Sequence, residues 1–346
     1  MKTNDKLVEE TVKRYIREYD RYKKLADIVF NICENILHEN LTIRATVQHR
    51  TKSPASLTEK LRKSTEYKSA EDVFDKISDL AGVRILTYQE TDIPKIVEAI
   101  RNIFSGKHQV QIEVKDKSGI AGKYYKATHC LVTLPSEYLA DNFNLKDTLC
   151  EIQVCSLLSH VYNEIEHDLQ YKLHARYLSK EEKLLINQLG LITKSGDIII
   201  QKLLQATNER LKSHRGKFID VHDFVIRMGE LFKVGESFSN NAGLLYDELL
   251  TFNLNSPEAI TLSLLDKDED IIHVAIEEYK RITEYITAKN INLTIDKNSS
   301  DLLLLVFLKK NITSVLNNYP HSPIKEHSSR FFRIAQTYNT MLSEYN

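Results

Sequence analysis

Between residues 5 and 37 apolar side chains return every three or four positions, at Leu7, Val12, Tyr15, Ile16, Tyr22, Leu25, Ile28 and Val29, with charged residues between them. That period is one face of an amphipathic helix, and it predicts a covering helix within residues 1–40. The pattern then changes. From 41 onward, short β-branched runs at 82–88, 108–115, 127–134 and 148–154 alternate with helical stretches, among them 91–104 behind the start signal of Asp92 and Pro94. Helical period returns at 156–172 and 180–212, where Leu184, Leu185, Ile186, Leu189 and Leu191 predict the face that closes the core. Beyond 216 the strand signal fades, and the apolar runs Phe224–Met228, Ile271–Ile276 and Leu302–Leu308 are separated by Asn, Ser and Pro turns. The prediction is an α+β fold. A mixed sheet flanked by helices occupies 41–215, and an all-helical domain, regulatory or oligomerising, occupies 216–346.

Composition narrows the class. A chain of 346 residues with 42% hydrophobic content can bury two cores. Its formal net charge of −1 creates no global field for nucleic acid or membrane, so a polyanion site has to be a local patch. The charged start Met1-Lys-Thr-Asn-Asp-Lys6 lacks an apolar leader, and no apolar run approaches the roughly 20 residues of a membrane span. A cytoplasmic protein without a membrane partner is expected. Cys33, Cys130, Cys150 and Cys155 show no metal-ligand spacing and are expected to be small core residues.

The local patch is found at 49–60. Arg50 and Lys52 share one side of an extended segment, while Ser56 and Lys60, four apart just after Pro54, stack on one face of a starting helix. Such a helix start adds free N–H groups and partial positive charge, which suits a polyphosphate; taken alone, the run is as often a solvated basic surface. Asp79 and Arg84 bracket the entry to the apolar run at 83–88, and Glu151 opens a second run, Glu151-Ile-Gln-Val154. Two strand-borne carboxylates beside a phosphate cradle are what metal-dependent phosphoryl transfer needs, because Mg²⁺ takes few protein oxygens and shares the rest with substrate. An Asp79–Arg84 ion pair is the structural alternative for one of them. Tyr125 and His129, four apart at the start of another strand, offer an aromatic surface and an imidazole to a nucleotide, or ordinary packing.

Four motifs occur together: Arg50-x-Lys52-x-x-x-Ser56-x-x-x-Lys60, Asp79-x-x-Gly82-x-Arg84, Tyr125-Lys-Ala-Thr-His129 and Glu151-Ile-Gln153-Val, followed by Asn163-Glu-Ile-Glu-His-Asp-Leu-Gln-Tyr-Lys172. In order and approximate spacing this set resembles the RelA/SpoT synthetase domain, over about residues 40–212. The resemblance implies a nucleotidyltransferase-like mixed sheet. It also implies Mg²⁺-dependent transfer of pyrophosphate from ATP to the 3′-hydroxyl of GDP or GTP, giving (p)ppGpp and AMP. By that likeness Arg50 and Arg84 would sandwich adenine, and Lys52, Ser56 and Lys60 would hold the ATP phosphates. Asp79 and Glu151 would bind Mg²⁺, with Glu151 also activating the acceptor hydroxyl. Tyr125 would stack on the acceptor base, with Lys123, Lys126, His129 and Gln153 around it.

The chain departs from that family's pattern on the acceptor side. Tyr124–His129 stands for Gly-Tyr-Arg-Ser-Leu-His, and Cys155-Ser156 stands for Arg-Thr. These departures, with Lys115, Lys117 and Lys123, motivate a second reading: a toxic relative that pyrophosphorylates adenosine nucleotides or the 3′ end of tRNA. Cys155 motivates a third, a nucleotide-binding regulator whose catalysis has decayed. His167-Asp168 implies no hydrolase metal site, since the family carries this pair in its synthetase helix. Asp266-x-Asp268-x-Asp270 resembles a calcium loop but has Ile271 where that loop needs glycine, so it is expected to be an acidic helix start. The run Leu302–Leu308 is compatible with a core helix or an oligomer seam.

Overall fold

The computed structural model describes residues 5–64, 66–105, 110–117, 124–171, 178–318 and 329–345. They fall into two compact units, one of Met1–Leu37 with Arg44–Leu203, the other of His38–Ile43 with Leu204–Asn346.

The first unit is an α+β layer structure. Its five-stranded sheet has the order β1-β2-β5-β4-β3, with β1 Ala45–Thr51, β2 Ala81–Thr87, β3 Gln111–Asp116, β4 Lys126–Val132 and β5 Cys150–Ser156. Only β2 and β5 run parallel; the other neighbours are antiparallel. Successive side chains on a strand face opposite ways, so the register sorts the sheet into two unlike faces. One carries Val47, Val83, Ile85, Ile152, Val154, Cys130 and Val132, all buried. It is covered by α1 (Asp5–Asn35) and α4 (Ile93–Ile103), whose Tyr15, Leu25, Val29, Ile96 and Ile100 are fully buried. The covering helix thus exists, but its buried stripe runs through Val8, Thr11 and Tyr15 and leaves Ile16 exposed. The other face carries Arg50, Arg84, Glu151, Gln153 and His129. Over one end of it lies α5 (Leu157–Tyr171), which Ser156 caps by accepting the Ser159 N–H at 3.0 Å. There Leu86, Ala127 and Cys155 form a small apolar cluster with Tyr125 and Leu157. All four cysteines are buried.

The helix α6 (Lys180–Lys212) corrects one expectation. Ile186 is buried, but Leu184, Leu185 and Leu191 are exposed, together with Ile192, Ile198, Ile199 and Leu203. The inward face is made of small residues instead. A Cβ at Gly190 would stand 2.0 Å from the Tyr124 ring, which leaves no room for a side chain there, and one at Gly196 would stand 2.4 Å from a Leu158 methyl, which would have to shift. Hydrophobic periodicity cannot see a contact made through glycine.

The second unit is helical in its described elements: α7 Val221–Leu231, α8 Ala242–Thr251, α9 Pro257–Leu264, α10 Ile271–Ala288, α11 Asp301–Asn318 and α12 Arg330–Tyr345. All seven residues of Leu302–Leu308 are buried, the arrangement of a core helix. The segment 38–43 joins this unit through Asn241, whose N–H donates to Asn40 O at 2.9 Å, and Gly243, where a Cβ would meet His38 O at 2.0 Å. Asp270 caps α10 by accepting the His273 N–H at 2.9 Å, while Asp266 pairs with Lys310 at 2.7 Å, so the calcium-like acids serve a helix start. No described helix is long and apolar enough to cross a membrane.

Candidate functional site

The polar face of the sheet is assembled by ties between its loops. After β1 ends, Ser53 accepts the Ser56 N–H at 3.1 Å and Pro54 occupies the first turn, which starts α2 (Pro54–Lys63). Leu57 and Leu61 turn inward and are fully buried, which leaves Ser56 and Lys60 on the outer face one turn apart. The Lys52 N–H donates to Leu80 O at 3.0 Å, and the buried Tyr15 of α1 donates its hydroxyl to Lys52 O at 2.6 Å. These bonds fix the chain leaving β1 against the chain entering β2 and bring Lys52 to Asp79. Tyr15 read from sequence only as a core position; its long-range bond carries no sequence signal.

Asp79 differs from the expected strand residue. It lies in a single 3₁₀ turn, Ser78–Leu80, directly before β2. Its partners are not Arg84 but two lysines, Lys52 Nζ at 2.5 Å from Oδ2 and Lys60 Nζ at 3.0 Å from Oδ1. Burial pushes its pKa up, but the two ammonium groups outweigh burial and hold it below the usual aspartate value. Glu151 begins the neighbouring parallel strand and pairs in register with Gly82. Its Oε1 accepts from Gln153 Nε2 at 2.6 Å and lies 3.3 Å from His129 Nδ1; its Oε2 accepts from Ser78 Oγ at 3.2 Å. Burial again raises the pKa, and the His129 and Gln153 contacts bring it below the usual glutamate value against the repulsion of Asp79. Both carboxylates are therefore ionised at neutral pH, on one face, and could hold a divalent cation. Ser78 was not among the sequence candidates.

On the flank nearest β1, Arg50 and Arg84 stand on the same face of paired strands, since Arg50 pairs with Gly82 and Arg84 with Gln48. Crowding by the surrounding protein and the Arg84 charge lower the Arg50 pKa. Arg84 is held by Gln153 Oε1 at 3.4 Å and by Glu164 Oε1 of α5 at 2.6 Å. His160, one turn before Glu164, has its pKa lowered by burial and by Arg84. Of these α5 residues, Glu164 lies in the motif quoted from sequence but was given no role there, and His160 was not singled out, although their spacing of four marks one helix face.

On the opposite flank the Tyr125 hydroxyl lies 3.1 Å from His129 Nε2, and burial pushes its pKa up to about 12. Lys117 Nζ sits 5.2 Å over the Tyr125 ring. Strand alternation separates Lys126 from this group: it pairs across to Asp116, at 3.8 Å, and to Glu90, at 3.2 Å. Lys123 lies outside the described residues. The structure thus brings together Arg50, Lys52, Lys60, Asp79, Arg84, Glu151 and Gln153, with Tyr125 and His129 beside them and Ser56 at the rim. Lys126 is turned away.

Solved structures similar to the chain include the small alarmone synthetase 1 from Bacillus subtilis, at 22% identity and a TM-score of 0.45, over 57% of this chain and 99% of that one. A GTP pyrophosphokinase family protein from Streptococcus pneumoniae is similar at 20% identity and a TM-score of 0.46, over 59% of this chain and 98% of that one. No curated protein matches. A family model described as the region found in RelA / SpoT proteins matches residues 49–176, the stretch that supplies Arg50, Lys52, Asp79, Arg84 and Glu151. Over residues 49–176, then, this chain is similar to the region found in RelA / SpoT proteins.

Proposed function

We propose that the protein transfers the pyrophosphate group of ATP to the 3′-hydroxyl of GDP or GTP, producing (p)ppGpp and AMP. The observation that carries this reading is the grouping of two ionised carboxylates, Glu151 on the sheet face and Asp79 in the turn before β2, with four cations and an aromatic–imidazole pair. The donor lies on the cationic side. Lys52, Lys60, Ser56 and the start of α2 bind its phosphates, and Arg50 and Arg84 receive its base. Tyr125 stacks on the acceptor base, and His129 and Gln153 hold Glu151 in place.

The acceptor 3′-oxygen attacks the β-phosphorus, and its proton passes to Glu151. The bond from that phosphorus to the oxygen bridging the α-phosphate breaks, and AMP leaves with that oxygen. Mg²⁺, held by Asp79 and Glu151, would neutralise charge on the phosphates being transferred. In the free protein both Asp79 oxygens face lysine ammonium groups. Phosphates draw those lysines toward themselves, so donor binding and metal binding favour each other.

A second reading, transfer to adenosine nucleotides or to the 3′ end of tRNA, is favoured by Lys126, which is paired with Glu90 and Asp116 and turned from the acceptor side. One experiment separates the two. The full chain is incubated with Mg²⁺ and ATP labelled in its β and γ phosphates, with GDP, GTP, ADP, ATP or deacylated tRNA offered separately. Label on GDP or GTP is expected, and Glu151→Gln should reduce its transfer about 10²- to 10⁴-fold. Label on adenosine nucleotides or tRNA instead selects the second reading, and transfer equal in Glu151→Gln and the natural chain removes Glu151 from the reaction.

A further inference from the structure

Arg50 and Arg84 project from adjacent strands toward one volume, and two guanidinium groups so placed repel. Arg84 is nevertheless held at two nitrogens of its guanidinium, Nε by Gln153 Oε1 at 3.4 Å and Nη2 by Glu164 Oε1 at 2.6 Å. Gln153 belongs to the sheet, but Glu164 comes from α5, which packs over β2, β4 and β5. Hydrogen bonds to a guanidinium lie in its plane. A carboxylate gripping one edge therefore leaves both faces open for stacking. Arg84 is mostly buried and Glu164 about half-exposed.

We propose that Glu164 is a positioning residue: it holds the Arg84 guanidinium edge-on and opposite Arg50, so that the purine of the donor enters between two preset cations. This rests on the reading of ATP as donor. Glu164 acts through Arg84 and not on the reacting atoms, so it sets donor affinity and not the chemical step.

The test uses the full chain, Mg²⁺ and an ATP analogue with a methylene between its α and β phosphates, titrated calorimetrically. Loss of one charge-assisted hydrogen bond in Glu164→Ala should weaken binding roughly 10-fold and raise the KM for ATP equally, with kcat and the acceptor KM within twofold. Glu164→Gln, which keeps an acceptor oxygen, should recover much of the loss. In an Arg84→Ala background, Glu164→Ala should add less than a further twofold, because its partner is gone. Unchanged or tighter binding in Glu164→Ala, or full additivity with Arg84→Ala, overturns the proposal. A second readout needs no nucleotide. In a chain carrying ¹⁵N-arginine, the Arg84 Nη2–H that donates to Glu164 should give a slowly exchanging signal that Glu164→Ala abolishes. If the natural chain binds no ATP analogue, the donor reading falls and this signal alone judges the tether; a signal indifferent to Glu164→Ala would sink it.

Discussion

Charge is handled in opposite ways in the two units. In the helical unit each prominent buried acid meets partners of the opposite kind. Glu278 accepts from Tyr338 at 2.6 Å and from Arg281 at 3.0 Å, and Asp301 accepts from Arg330 at 2.7 Å and from the Asp296 N–H at 2.7 Å. On the sheet face of the other unit, like charges are neighbours: Arg50 beside Arg84, Lys52 beside Lys60, and Asp79 near enough to Glu151 to raise its pKa. The first pattern completes a fold. The second costs stability, and a ligand carrying both phosphates and a divalent cation is what would offset it.

The sharpest way to break the contrast is to remove one charge from each side and compare. Asp301→Ala takes the buried carboxylate from the half-buried Arg330, which keeps its bond to Thr294 O, and from the Asp296 N–H, and should cost about 1–3 kcal/mol by urea denaturation. Arg50→Met removes one of two repelling cations from a solvent-exposed site, and should stay within about 0.5 kcal/mol of the natural chain. Equal losses would show that the sheet-face charges are structural after all. A smaller effect sharpens the comparison at Asp79. Lys60→Gln removes a half-exposed competitor for the carboxylate, so Mn²⁺ binding without nucleotide should tighten roughly 3- to 10-fold, the scale of ~1 kcal/mol for such a pair. An unchanged affinity would mean that the lysines do not compete with metal.

How far the sequence reveals this architecture depends on what holds each part. The strands are legible because β-branched runs alternate with helical period, and the site face is legible because its charges interrupt those runs: Arg84 within β2, Glu151 and Gln153 within β5. Register adds what a motif omits. Tyr125 and Lys126 are adjacent, so alternation alone sends one to the polar face and the other to Glu90. Asp79 reads as the start of a strand but sits in a tight turn just before β2, where the Lys52 N–H bond to Leu80 O is the last rung of the β1–β2 pairing. The packing of α6 is illegible for a different reason: its contacts run through Gly190 and Gly196, while Leu184, Leu185, Leu191 and Leu203 face outward. Glu164 looks like a surface helix acid until α5 is placed over the sheet.

The smallest effect concerns His160, whose pKa lies below the ordinary histidine value because burial and the Arg84 charge both oppose its protonation. The unfolded chain takes up a proton near pH 6.5, where the folded chain does not. Stability contributed by the neutral ring is therefore complete above that pH and is lost as the pH falls through the window below it. Denaturation midpoints measured from pH 5 to 7.5 should rise with pH in the lower part of that range, with a slope of at most one proton, and His160→Gln should remove that share of the slope. Glu164→Gln should steepen it, because the glutamate is the one nearby charge that favours protonation of His160 against Arg84 and Arg50. The helical unit offers the control: Asp301→Ala lowers the midpoint but should leave this slope unchanged. A slope that follows Asp301 and ignores His160 would place the titrating group outside the sheet face, and the contrast between the two units would lose its electrostatic basis.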